Sequence, residues 1–97
     1  MKIGLETRVR RAPSAAWREI DGQVVVVSND VNRVRLLNDV GGFVWQKCED
    51  APSVAELVDA VRGAYEVDDA RARADVLSFL EDLAGRGMLL LEQGSPT

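Results

Sequence analysis

The run AAWREIDGQVVVVSNDVNRVRLL, residues 15–37, decides the fold. Asp21-Gly22 lies between two strand-forming segments. A two-residue type I′ turn needs positive φ at both central positions, and Asp-Gly supplies it at low steric cost. That turn sets a register in which Ile20 faces Gln23, Arg18 faces Val25 and Trp17 faces Val26. Val24 to Val27 are β-branched throughout, so the second strand reads as apolar on both faces and central in its sheet. Asn29-Asp30 and Asn32 mark a second turn. In the third strand Arg33 and Arg35 alternate with Val34 and Leu36, as in a strand wetted on one face. The result is a three-stranded antiparallel meander whose third strand is an edge.

Beyond Leu37 the period becomes helical. Asn38 is placed to cap a first helix, with Asp39 in its first turn. Val40, Phe43, Val44 and Cys48 share one face of that helix, which ends near Glu49. Gly41-Gly42 weaken it by about 1 kcal/mol each relative to alanine, and residues this small admit a close neighbour. Ser53 and Glu56 form a capping box that opens a second helix, with Val54, Leu57, Val58, Val61 and Tyr65 as its apolar stripe. Asp68-Asp69 start a third helix over 69–84, whose core stripe is Ala72, Val76, Phe79, Leu80 and Leu83. Gly85 and Gly87 end it, and Met88–Leu91 follows as an exit strand or extended tail. Residues 1–14 lack a clear period and end in Pro13-Ser14, which reads as a flexible basic arm. Residues 15–92 form one domain, and 93–97 a disordered tail. The class is α+β, winged helix-turn-helix-like, with a three-stranded antiparallel sheet followed by three helices.

Composition narrows the function. The 97 residues, 46% hydrophobic and 29% charged, are those of one ordinary globular domain. No apolar run approaches the roughly 18 residues of a membrane helix, and the start, MKIGLETRVRR, lacks the apolar core of a secretion signal. A cytoplasmic protein without membrane contact follows. There is no histidine, which removes the usual general base and metal ligand, and the lone Cys48 excludes an internal disulfide or a cysteine-based zinc site. No cofactor, metal or catalytic centre is expected. Lys2, Arg8, Arg10, Arg11 and Arg18 against Glu6 give residues 1–18 a net +4, leaving the body at −8. An acidic body argues against nucleic acid, where phosphate neutralisation supplies most of the affinity.

Three stretches, LLNDVGGFVW, SVAELVDAVRGAY and ADVLSFLEDLAGRGML, together resemble the pyrroloquinoline quinone biosynthesis protein D (PqqD) family. The resemblance rests on Leu37-Asn38 before the first helix and on Ser53-Val54-Ala55-Glu56-Leu57 at the start of the second. It continues with Asp75-Val76, Phe79-Leu80 and Leu83 in the third and the exit Gly87-Met88-Leu89, and covers roughly residues 15–91. The link Cys48-Glu49-Asp50-Ala51-Pro52 departs from the Asp-Gly usual in members of the quinone pathway, and leader-binding proteins of lasso-peptide clusters look similar. The resemblance implies a non-catalytic chaperone that binds the leader of a ribosomally made precursor peptide. It would present that leader to a modifying enzyme, such as a radical S-adenosylmethionine protein or a protease. It also implies that the leader adds as a strand to the third strand, in a groove closed by the third helix.

An unpaired edge strand is independently suited to such addition. Candidate peptide-binding residues are Arg33, Val34, Arg35, Leu36 and Leu37 on the strand, with Arg73, Leu77 and Leu80 on the third helix. Arg33 and Arg35 read equally as charges that block self-pairing, and Leu77 as part of a wider core. Asp75 reads as a solvated carboxylate, or as an acceptor for the peptide. Trp17 and Trp45 read as core, Cys48 as an inert buried thiol and Glu81-Asp82 as a solvated face. Two rivals stand beside the chaperone: a winged-helix DNA-binding regulator, whose third helix would need to be basic, and a structural subunit paired through its sheet. The chain is read as a monomer or homodimer.

Overall fold

The computed structural model of the protein describes residues 3–28 and 33–92. Its elements run β1 (Arg8–Arg11), β2 (Ala15–Ile20), β3 (Gln23–Ser28), β4 (Arg33–Leu36), α1 (Asp39–Lys47), a short 3₁₀ turn (Cys48–Asp50), α2 (Val54–Tyr65), α3 (Asp69–Gly85) and β5 (Leu89–Glu92). The expected second turn at residues 29–32 and the tail at 93–97 lie outside the described residues.

The meander is as the sequence indicates. Asp21 and Gly22 take φ of 53° and 82°, the positive pair of a type I′ turn. Ile20 pairs with Gln23, Arg18 with Val25 and Trp17 with Val26, in a sheet ordered β2-β3-β4. One face of β3 (Val24, Val26 and Ser28) is buried, while Val25 and Val27 on the other are half-buried. The three helices cover the first face. Asn38 accepts the Gly41 amide at 2.7 Å to start α1. Ser53 and Glu56 close their capping box to start α2, and Asp68 accepts the Arg71 amide to start α3. Val26, Val44, Trp45, Leu57, Val76, Leu80, Leu83 and Met88 fill the space between these helices and the sheet.

The glycine pair explains how α1 sits so close. A Cβ on Gly42 would come 3.1 Å from Val24 Cγ2 on the sheet, and one on Gly41 would come 3.2 Å from Phe79 Cε1 on α3. Bare backbone at both positions lets α1 wedge between β3 and α3. Trp17 departs from the expected core position: it is 39% exposed, edge-on to buried Trp45 and beneath the Arg11 guanidinium.

The larger departure is at the N-terminus. Within the expected flexible arm of residues 1–14, Arg8–Arg11 form β1, which pairs antiparallel with β5 from Arg8–Glu92 to Arg11–Leu89 as a second sheet. The exit segment after α3 thus has a strand partner. Val9 is 0% exposed, its amide donates to the Pro52 carbonyl at 2.9 Å, and Arg11 donates to the Trp45 carbonyl at the end of α1. Of the cations that suggested a solvated arm, Arg8 and Arg10 are the outward half of this strand, where Arg8 reaches Glu56 and Arg10 reaches Glu92. Truncating Val9 to alanine is therefore expected to cost about 2 kcal/mol of stability. Urea denaturation measures it, and an unchanged midpoint would mean that the N-terminal strand is dispensable.

Candidate functional site

The site begins with the register of β4. Leu37, buried on the core side, donates its amide to the Val24 carbonyl at 2.9 Å. Val26 stands opposite Arg35, and Ser28 opposite Arg33. Side chains alternate between faces, so Arg33 and Arg35 share the helix-side face of Leu37, while Val34 and Leu36 turn to the outer face. The sequence expectation of a strand with its arginines in water holds for Arg33, which is exposed, and not for Arg35. Val34 and Leu36 are 63% and 53% exposed, and Arg35 is the half-buried one.

The same alternation governs the backbone. Amide and carbonyl groups of successive residues point to opposite sides of an antiparallel strand. Those of Leu37, Arg35 and Arg33 face β3, so those of Val34 and Leu36 face away from the sheet. Among the described residues β4 has no second neighbour. One of these edge groups is occupied from within: Arg35 Nη1 donates to the Leu36 carbonyl at 3.3 Å.

Beside the edge lies a cavity of about 570 Å³, lined by Arg35, Leu36 and Leu37 of the strand end, Asn38, Val40 and Gly41 of the α1 start, and Arg71, Asp75, Ser78, Phe79 and Asp82 of α3. Arg71, Asp75, Ser78 and Asp82 recur at helical spacing on one flank of α3, with Phe79 between that flank and the core. Two sets of ion pairs mark the rim. Arg71 bonds Asp75 at 3.1 Å, and Asp82 accepts both Arg35 and Arg86 at 2.9 Å. Burial alone would raise the Asp82 pKa, but the hydrogen bonds from Arg35 and Arg86 outweigh it and hold the carboxyl below its ordinary range.

Among the sequence candidates, Arg35, Leu36 and Leu37 line this cavity, and Arg33 and Val34 continue the same edge. Arg73, Leu77 and Leu80, expected on the helix wall, do not line this cavity. Leu80 is fully buried in the core, Leu77 packs against the core, and Arg73 pairs with Asp69 at 2.9 Å. Arg73 and Leu77 lie on the opposite flank of the core stripe, about 200° from Arg71 and Asp75 at 100° per residue. Sequence reasoning missed Asp82, taken as solvated, and Phe79, taken wholly as core. The available signal was the 71, 75, 78, 82 repeat on α3 together with the bare Gly41 facing it.

Cys48 is buried, and burial pushes its thiol up to about 12, with Arg11 pulling weakly the other way. It stays a neutral thiol at ordinary pH. Among the described residues no helix is long and apolar enough to cross a membrane, and no three His, Cys, Asp or Glu side chains gather as a metal site.

The family model for Coenzyme PQQ synthesis protein D (PqqD) matches residues 23–89. The chain belongs to the PqqD family. Among curated proteins, the PqqA binding protein of Rhodopseudomonas palustris strain HaA2 is 39% identical over 57 residues, which cover 59% of this chain and 56% of that protein. This PqqD-family chain thus spans little more than half the length of the curated relatives it matches. TbiB1 in complex with the TbiA(beta) leader peptide superposes with a TM-score of 0.77 at 28% identity, over 82% of this chain and 93% of that one. A lasso peptide synthetase B1 complexed with the leader peptide gives 0.73 at 26% identity, over 88% and 98%. The PqqD truncation of Methylobacterium extorquens PqqCD, a stand-alone recognition element, gives 0.76 at 20% identity over 92% and 95%, a likeness of fold.

The Arg35–Asp82 clamp has a definite pH sign. A depressed folded-state pKa means the clamp is whole above the ordinary 3.8 and opens only as pH falls through the lower folded value. The Arg35 Nε–H resonance, followed by NMR over a falling pH series, is expected to move with a midpoint below 3.8. A midpoint at or above that value would show that the pair is not formed.

Proposed function

We propose that this chain is a non-catalytic peptide chaperone. It binds the leader of a ribosomally made precursor by adding it as a strand to β4, and presents it to a modifying enzyme such as a radical S-adenosylmethionine protein or a protease. The observation that carries this reading is the outward-facing backbone of Val34 and Leu36 directly beside the cavity under α3. Edge amide and carbonyl groups, once Arg35 releases the Leu36 carbonyl, give an extended peptide its main-chain bonds, and a pocket beside them sorts its alternate side chains. From Arg71 to Asp82 the α3 flank is about 17 Å long, which an extended strand spans in about five residues. The likeness to TbiB1 and to the lasso synthetase B1, both solved with leader peptides, supports a leader peptide as the ligand. The curated relatives named PqqA binding proteins support a binding role from a second direction. We place the activity in the cytoplasm, where a ribosomally made peptide first appears.

The regulator reading is not favoured. Helix α3 carries Asp69, Asp75, Glu81 and Asp82 against Arg71 and Arg73, and both of these arginines are already paired within the helix. Such a surface offers no basic stripe to a phosphate backbone.

The edge itself can be blocked. Proline at position 36 removes an amide that makes no bond within the sheet but that an added strand would use. Leu36→Pro is expected to weaken binding of a leader peptide at least about tenfold while leaving the melting curve close to wild type. Calorimetric titration with PqqA of Rhodopseudomonas palustris and with the TbiA(beta) leader measures this. Equal affinity for the two chains would rule out strand addition at β4.

A further inference from the structure

The outer face of the sheet, away from the helices, holds two cross-strand rows that stop at the β4 edge. Ala16, Val27 and Val34 form one row, and Arg18, Val25 and Leu36 the other. In each row the middle valine is half-buried by its two neighbours. The last member has a neighbour on one side alone, and Val34 and Leu36 are left 63% and 53% exposed. Ile20 on the same face is 52% exposed, so apart from Arg18 and Gln23 this side of the sheet is apolar, and it is uncovered among the described residues. Apolar side chains at the end of a cross-strand row are stabilised by a further apolar partner directly beside them.

We infer that the leader strand is selected on two faces, with apolar residues at two positions spaced i and i+2 that extend these rows beyond Val34 and Leu36. This rests on the strand-addition reading above and deepens it. A strand hydrogen-bonded to the edge places every second side chain on the outer face, whichever way it runs. The intervening side chains turn toward Arg35 and Phe79 at the cavity. Specificity thus comes from the outer face as well as the groove, and the partner is an extended peptide of alternating apolar character.

A displayed library of random dodecapeptides, selected on the full chain, tests this. Enriched peptides are then measured against wild type, the double variant Val34→Thr/Leu36→Thr, and Leu36→Pro. Threonine keeps strand propensity at two exposed positions, and circular dichroism melts of each variant check the fold. We expect enriched peptides to carry β-branched, leucine or aromatic residues at alternate positions. They should bind the double variant about tenfold more weakly, the worth of two cross-strand pairs, and lose binding to Leu36→Pro. Peptides without alternation that bind the double variant as well as wild type, yet fail on Leu36→Pro, overturn the two-faced selection and leave strand addition standing. Peptides that bind Leu36→Pro as well as wild type overturn both. Light scattering of the peptide-free chain supplies a further arm: a dimer dissolved by the double threonine variant would assign the outer face to a second copy and overturn the inference.

Discussion

The pairing of Leu37 with Val24 is the constraint on which the site depends. It anchors the end of β4 to the core and fixes the parity of the whole strand. A slip of one residue would exchange the two faces. Val34 and Leu36 would turn toward the helices, Arg35 would face water, and the outward backbone would belong to different residues. As built, Leu37 sends Arg35 toward Asp82 and leaves the amides and carbonyls of Val34 and Leu36 at the edge. One buried leucine thus sets the apolar outer rows, the charged rim and the hydrogen-bonding edge together.

Holding that edge beside a pocket requires α1 and α3 to approach closely, and backbone without side chains makes this possible. Gly41 and Gly42 carry α1 onto Phe79 and Val24 with little room to spare. The second sheet steadies the far side. β1 ties β5, which follows α3, to the segment at Pro52 and Ser53 that precedes α2, so both long helices are held at their ends. Arg35 serves two groups in the peptide-free chain, closing against Asp82 and covering the Leu36 carbonyl. A strand added at this edge, as proposed, would take that carbonyl from it. The guanidinium therefore caps one acceptor of the edge and lines the cavity beside it.

What could be read from the sequence was local. Asp21-Gly22, the Ser53–Glu56 box and the helical stripes of α2 and α3 each act within a few residues, and each appears where its chemistry places it. What could not be read depended on distant partners. The strand at Arg8–Arg11 looks like a basic tail because its apolar content is essentially Val9, and its partner lies at the other end of the chain. Arg35 is turned to the helix side by the Leu37–Val24 register, and its partner there, Asp82, lies 47 residues away. Alternating arginine and valine in an edge strand otherwise implies the opposite orientation. The cavity's helix side was hidden for a related reason: Leu77 looks the better groove residue by hydrophobicity, but the flank of α3 beside the end of β4 is the charged one.

The most direct measurement is an amide-resolved NMR titration of the chain with the leader of a precursor peptide. Strand addition predicts shifts confined to residues 33–37, the start of α1 and the Arg71–Asp82 flank of α3, with the Arg35 side chain moving alongside. Shifts centred on the β1–β5 sheet or on α2, or none at millimolar peptide, would contradict a peptide site at this edge.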